Sequence, residues 1–517
     1  MIDTTVPGTP GFWMKTLWNQ LQAEQRRFKL LEDYYSGRPP LAWGSEDSKA
    51  RFYRFQQTSR TNFAKLIIKA PSSRCGIRSV ATAADHDENG DQVAWQLLRA
   101  NDAQVHFSDV TRTAFKFGRS FMSVGSPDPE VDSVNAVITA EDPRQVVCSM
   151  DPMRPRRVVA AFKLYHDDQA QLDIAILWLP GEKWVATRER KVSSQSQVRN
   201  RGLLAMMEPT PVSFSASSFE MRPFEGEPVD DIDDDGGVPD VDDGIFSERY
   251  EVRDIPVVPF NYDEGSGRYE LHTDLLDRIN HLHLQLIVIA TLQAFRQRAI
   301  EIQSADDMPE RDDDGNLIDY NDIFAADPGA LWKLPAGATI WESGQVDLMG
   351  ILQAIKDAIL QLAAVTQTPL SMFAPDAATQ TAEGASLQRE GLVSDVDEFL
   401  RGADSSLARV LSLAFKFMGD ETRADVSQIS VDWLPTERYS LSEQGSAAAQ
   451  ALSSLTWEQI QRIVWQQTPS QIDAAQLQRV ADLELAQKYG PPKPAPYVSS
   501  TPASSPAPAE DPALPAA

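Results

Sequence analysis

The feature that most constrains this chain is a helix–insert–helix arrangement between Asp274 and Gly419. Leu275, Ile279, Leu282, Leu286 and Ala290 recur at helical spacing and predict a first helix ending near Ile300. Residues Gln303–Gly344 then break the period with turn clusters at Asp312–Asn316, Asp327–Gly329 and Pro335–Gly337. Leu348, Leu352, Ile355, Ile359 and Leu362 resume it as one stripe of a second helix. Each helix runs for roughly 20–25 residues, or about 30–40 Å at ~1.5 Å per residue. Two rods that carry a compact insert outward and return suit a pore-lining subunit with a docking tip better than a catalytic scaffold.

An irregular loop follows, with Thr366, Thr368, Pro369, Pro375, Thr379, Thr381 and Gly384. Beyond it Leu392, Val396, Phe399, Ala403, Leu407, Val410, Ala414 and Phe417 predict one face of a long third helix. A short strand (Gln428–Trp433) leads to Pro435, and two or three further helices are expected from Leu441 to about Lys488. Residues 491–517 are nearly all Pro, Ala and Ser; they cannot bury a core and are expected to be disordered.

The N-terminal part reads as α+β. Trp13, Leu17, Leu21, Phe28, Leu31 and Tyr35 predict a helix over Phe12–Tyr35, stopped by Gly37, Pro39 and Pro40. Further helices are expected at Asn62–Lys69 and, as one element between Gly90 and Gly118, at Val93–Phe117. Short β segments come next: Phe121–Val124, Val134–Thr139, Gln145–Ser149, Val158–Tyr165, Leu172–Leu179 and Trp184–Arg188. Ser193–Arg249 is weakly patterned, rich in Ser, Pro and Asp, and is expected to be a long mobile excursion before pattern resumes at Val252–Phe260.

Charge narrows the function. Across 517 residues, 75 Asp and Glu against 48 Lys and Arg give a net charge of -27. Tight DNA binders present basic faces, because phosphate neutralisation supplies most of their affinity. This balance excludes a DNA-gripping clamp but not a channel through which DNA slides, whose acidic wall would repel phosphate. Cys75 and Cys148 form no CxxC pair, so a reducing compartment is expected. The start of the chain shows no basic region followed by an apolar one, and the apolar run Leu282–Phe295, interrupted by His283, Gln285 and Gln293, is too short for a bilayer. A soluble protein is expected.

No common catalytic signature is present: no phosphate-binding GxxxxGK[ST], no GxGxxG between strand and helix, no HExxH and no GxSxG. His281 and His283 stand two apart and would face different directions on a helix. No cofactor is expected. Asp231, Asp233, Asp235 and Asp242, with Gly236 and Val238, match much of a calcium loop. Asp242 in place of Glu, Pro239 within the loop and the lack of flanking amphipathic helices favour a solvated acidic loop instead. Arg296 and Arg298 suit either a patch facing DNA or an acidic partner, or the C-terminal dipole of the first helix. Trp332 and Trp341 suit either the insert's own small core or intersubunit anchors, and the second is favoured because so small an insert could hardly stabilise itself alone.

Taken in order, several short runs resemble portal (head-to-tail connector) proteins of tailed bacteriophages, as in long-tailed phages of actinobacteria. They are Leu31-Glu32-Asp33-Tyr34-Tyr35-Ser36-Gly37, Asn62-Phe63-Ala64-Lys65-Leu66-Ile67-Ile68, Phe117-Gly118-Arg119-Ser120 and Glu141-Asp142-Pro143-Arg144. Further on come Ala294-Phe295-Arg296-Gln297-Arg298-Ala299, Thr368-Pro369-Leu370 and Thr381-Ala382-Glu383-Gly384-Ala385, so that the likeness runs from about Trp13 to Lys488.

The resemblance implies an α+β, portal-like fold and a ring of twelve subunits at one capsid vertex, through which DNA is packaged and ejected. It implies a wing over 1–270 with the acidic loop 193–249, and stem helices at 271–302 and 345–366. A clip at 303–344, a tunnel loop at 367–383 and a long helix with a return strand at 384–440 would follow, then helical wing and crown at 441–490. By the same likeness Thr366, Thr368, Pro369, Thr379 and Thr381 face DNA, while Arg296, Arg298, Trp332 and Trp341 serve docking. The implied partners are the terminase large subunit, major capsid and scaffolding proteins, head-completion adaptors and double-stranded DNA, with no membrane. The implied location is the virion, and host cytoplasm during assembly. Two other readings compete: a carboxylate hydrolase using a pair such as Glu141 and Asp142, and a structural adaptor without a pore.

Overall fold

In a computed structural model of the chain, residues 5–42, 49–84, 90–127, 134–169, 172–189, 220–223, 253–294, 298–301, 339–342, 347–373, 382–437, 441–467 and 469–489 are described. They fall into two units, Met1–Tyr439 and Ser440–Ala517.

Helix α1 (Pro10–Tyr35) opens the first unit with Pro10 in its first turn and the Thr9 hydroxyl accepting from the Phe12 amide. Its buried face serves two cores. Met14, Leu17, Trp18 and Leu21 pack with Val147, Phe162, Leu164 and Leu177 of a β-sheet. Phe28, Leu31 and Tyr34 join the main core. Helix α2 (Lys49–Thr58) has no counterpart in the apolar pattern. Helix α3 (Phe63–Ser72) is capped by Asn62, and strand β1 (Ile77–Ala81) follows it.

The single helix expected over Val93–Phe117 is two: α4 (Gln92–Ala100) and α5 (Ala103–Phe117). Asp102 between them takes φ 47°, in the left-handed region. The Asn101 amide fixes this break from outside the helices. Its Nδ2 donates to the Ala136 carbonyl at 2.8 Å and its Oδ1 accepts from the Ile138 amide at 2.8 Å. Helix α5 ends at Gly118, φ +82°, where a Cβ would stand 2.0 Å from the Gly265 carbonyl oxygen, so only glycine fits.

Beyond Gly118 the chain turns to β structure. Strands β2 (Arg119–Gly125) and β3 (Val137–Glu141) pair antiparallel. Strands β4 (Val146–Asp151), β5 (Arg154–Asp167), β6 (Leu172–Leu179), β7 (Glu182–Glu189) and β8 (Glu220–Pro223) form a five-stranded antiparallel meander in that order. Strand β8 lies inside the stretch read as a patternless excursion, and its pairing with β7 corrects that reading for these residues. The strand is only four residues long, too short for its alternation of Glu220, Met221 and Arg222 to stand out. Strand β9 (Val257–Asn261) completes a three-stranded sheet, β3-β2-β9.

Helix α6 (Thr273–Ala294) and strand β10 (Arg298–Glu301) come next, then β11 (Thr339–Glu342) and helix α7 (Met349–Val365). A short α8 (Leu370–Phe373) precedes the long α9 (Ala382–Phe417). The expected stripe of α9 is its core face: Leu392, Val396, Phe399, Ala403, Leu407, Val410 and Ala414 are all buried. Strand β12 (Ser430–Trp433) returns to pair with β1, bringing Val431 opposite Val80 and Trp433 opposite Ile77.

The second unit contains α10 (Leu441–Ala451), a short turn Trp457–Gln459 begun by a Thr456–Gln459 capping box, and α11 (Pro469–Tyr489). Ile460 and Ile472 are buried in it, while Arg479 stacks over the Trp457 ring at 5.0 Å. Among the described residues no helix is long and apolar enough to cross a membrane.

Candidate functional site: the helix pair and its base

Helices α6 and α7 lie side by side and antiparallel. Arg278, near the start of α6, bonds Gln361 near the end of α7, and in the strand register Arg298 of β10 stands opposite Glu342 of β11. Leu276, Ile279 and Leu284 are buried on α6, as are Ile355, Ala358 and Leu362 on α7. The predicted stripe on α7 is wider than its buried seam. Leu352 is 38% exposed, and with Met349 (68%) and Leu360 (55%) it forms an apolar strip facing away from Ala358 and Leu362. At about 100° per residue these three fall within roughly 80° of arc around Lys356. This outer face is half-apolar, where a water-facing helix normally carries polar residues.

The pair is anchored at its base by buried polar contacts that local sequence pattern does not announce. Arg27, in the middle of α1, donates from Nε to Glu270 at 2.5 Å and from Nη2 to the Gly265 carbonyl at 2.6 Å, the Phe117 carbonyl at 3.0 Å and Glu270 at 2.6 Å. Burial opposes ionisation of Glu270, but Arg27 and the Gly267 amide outweigh it and hold its pKa below the ordinary 4.5. The Tyr269 hydroxyl donates to the Leu31 carbonyl at 2.6 Å and that of Tyr34 to Asp277 at 2.7 Å. The root of α6 is therefore tied to α1 and to the end of α5.

A second tie holds the end of α7. Arg268, nearly fully buried, donates to the Thr366 carbonyl at 2.7 Å and the Ile67 carbonyl at 2.9 Å, and pairs with Asp395 of α9 at 3.0 Å. The Tyr262 hydroxyl donates to Asp395 at 2.9 Å. Burial raises the Asp395 pKa; Arg268 and Tyr262 pull the other way without cancelling it.

This arrangement corrects three of the DNA-facing assignments. Thr366 and Thr368 are each only 3% exposed, and Pro369 is buried. The Thr366 hydroxyl donates to the Leu362 carbonyl at 2.7 Å, and the Thr368 hydroxyl to the Thr366 carbonyl at 3.1 Å. These residues close the end of α7 and are spent on the chain's own backbone. Thr379 and Thr381 lie outside the described residues.

The insert residues divide likewise. Arg298 sits in β10 opposite Glu342 and Trp341 in β11 opposite Ala299. Arg298 thus lies in β10, beyond the end of α6 at Ala294. Arg296, Trp332 and the calcium-loop residues Asp231, Asp233, Asp235 and Asp242 lie outside the described residues. Within those residues no group of three His, Cys, Asp or Glu side chains could hold a metal ion. His283 bonds the Ile279 carbonyl at 2.9 Å and His281 bonds Gln285 at 3.0 Å. Burial pushes both thiols, Cys75 and Cys148, well above their ordinary pKa and leaves them unreactive.

The carboxylate pair of the hydrolase reading is not poised for acid–base work. Glu141 accepts from Lys163 Nζ and from the Ser123 hydroxyl, each at 2.7 Å, while Asp142 is gripped by Arg144 from Nε at 2.9 Å and Nη2 at 2.5 Å. Each carboxylate is paired with a different cation.

Residues 14–199 match the family model described as "Phage portal protein, SPP1 Gp6-like", which agrees with the resemblance read from the sequence. More particularly, the chain is similar to the portal protein of Mycobacterium phage L5, 26% identical over 132 residues. That alignment takes in 25% of this chain and 26% of the relative, so the chain spans about a quarter of the length of the curated relative it matches. Among solved structures, a chain from the neck of an empty gene transfer agent (GTA) particle aligns at a TM-score of 0.41 and 14% identity, over 82% of this chain and 95% of that one. A chain from the neck of the native GTA particle aligns at 0.41 and 13%, over the same shares. Superpositions this loose carry no argument about the fold.

Proposed function

We propose that this chain is a portal subunit, which closes with copies of itself into a ring-shaped channel at one capsid vertex for genome packaging and ejection. The observation that carries the reading is the α6/α7 pair, a rigidly rooted antiparallel rod whose outer face exposes Met349, Leu352 and Leu360. A monomer gains nothing from that face. In a ring each copy covers its neighbour's, and about 25 cal/mol per Å2 of apolar area is recovered per contact. The portal-family match over residues 14–199 supports the same reading from a part of the chain that the rods do not include.

In this account α6 and α7 form the stem and the β10–β11 hairpin belongs to the clip, where Arg296, Arg298, Trp332 and Trp341 meet the terminase large subunit and later the head-completion proteins. Thr379 and Thr381 face the DNA. Capsid and scaffolding proteins surround the ring in the virion, and assembly takes place in the host cytoplasm. The protein is structural rather than enzymatic: its net charge of -27 keeps the channel wall from holding phosphate, and force comes from the motor that docks on it. Negative-stain imaging of the purified chain tests this, with wheels carrying a central hole as the expected result. Changing Thr379 and Thr381 to Lys should slow packaging while leaving the wheels intact, and unchanged packaging rates would remove those residues from the channel.

A further inference from the structure

A groove of about 730 Å3 runs along α9 from Glu390 to Asp404, with β12 and the residues after it as its other wall. Leu400, Trp433, Leu434 and Pro435 give it an apolar lining, and Glu390 and Asp397 stand exposed on its α9 side. Asp404 is spent on the Val431 amide at 3.2 Å, and Arg401, the cation lining the groove, donates to the Asp397 carbonyl at 3.3 Å. The groove's charged lining, Glu390, Asp397 and Asp404 against Arg401, is net negative, so the site suits an apolar group flanked by positive charge.

The chain carries such a group on another surface. The β4–β5 turn presents Met153, 89% exposed, followed by exposed Arg154, Arg156 and Arg157. Three arginines within four residues are unusual in a chain of net charge -27. The turn is held in place from behind: Arg156 donates to the Ser405 hydroxyl at 3.1 Å, and Arg409 bonds the Arg156 carbonyl. At about 100° per residue, Ser405 points roughly 40–80° and Arg409 roughly 80–120° around α9 from Glu390, Asp397 and Arg401. Knob and groove are distinct sets of residues, so a contact between them is head-to-tail.

We propose that the Met153 turn of one copy docks in the α9–β12 groove of the next, with Met153 against Trp433 and Leu434 and with Arg154 and Arg157 opposite Glu390 and Asp397. Such a contact is heterologous, so it closes a ring when repeated and sets its direction. The inference rests on the ring reading above.

The test uses two double variants of the full chain, Arg154→Glu with Arg157→Glu and Glu390→Arg with Asp397→Arg. All four positions are exposed, so thermal melting of each variant should stay close to wild type and report intact folding. Mass photometry should show each variant alone losing rings at least about ten-fold. Mixing the two places reversed charges opposite each other at one interface while the other kind of junction meets unmodified groups. Ring yield should therefore rise above that of either variant alone. If wild type forms rings and both variants form them equally well, the contact is wrong while the ring reading stands. Should wild type form no rings, the ring reading itself fails.

Discussion

At the scale of single residues, Arg268 does more than any other side chain to hold the rods to the body. It joins the end of α7, the middle of α3 and the α9 carboxylate Asp395 from a position only 6% exposed. Changing Arg268 to Ala leaves that carboxylate and two carbonyls buried without their partner, a loss of about 3–5 kcal/mol. Chemical denaturation should show it as a fall in midpoint without a change in slope. Lys in its place can reach only some of the three acceptors and should recover part of the loss.

Glu270 gives a pH signature. Its folded pKa lies below 4.5, so its stabilisation is complete above that value and is lost as pH falls through the folded pKa. Glu270→Gln should lower the melting temperature at pH 7 and flatten its decline below pH ~4.5. An unchanged acid arm would show that the Arg27–Glu270 pair is not what acid breaks. Asp395 has the opposite sign: with a raised folded pKa, its contribution weakens as pH climbs from about 3.8. Asp395→Asn should remove that weakening.

At the scale of elements, the exposed strip on α7 separates folding from assembly. Replacing Met349, Leu352 and Leu360 together with Gln should leave monomer stability within about 0.5–1 kcal/mol, because none of them is buried in the single chain. Native mass spectrometry should then show oligomers lost; oligomers that persist would mean the strip is not the seam. Much of this layer was legible beforehand. The α9 stripe and the strands from β4 to β7 follow periods that a core imposes, and the structure buries the residues those periods select. What was not legible depended on contacts distant in sequence. The α4–α5 break is held by Asn101 bonding to residues 136 and 138, and β1 finds β12 some 350 positions away. The Thr366–Thr368 turn shows the limit in the site itself. Threonines and a proline in a loop read as a surface, yet here they cap a helix end that Arg268 draws inward.

At the scale of the whole molecule, the account joins an N-terminal region that matches a portal family model to a pair of rooted rods and a strongly acidic chain. None of these completes a function in one copy: the rods leave apolar surface uncovered, and a channel needs a closed circle of subunits. The most direct test is single-particle imaging of the purified full-length chain in physiological salt, with particle mass read by mass photometry. The prediction is a closed wheel with a central hole wide enough for a DNA duplex, many times the mass of one chain. A population that stays monomeric at micromolar concentration, with Met349, Leu352 and Leu360 still facing water, would contradict it.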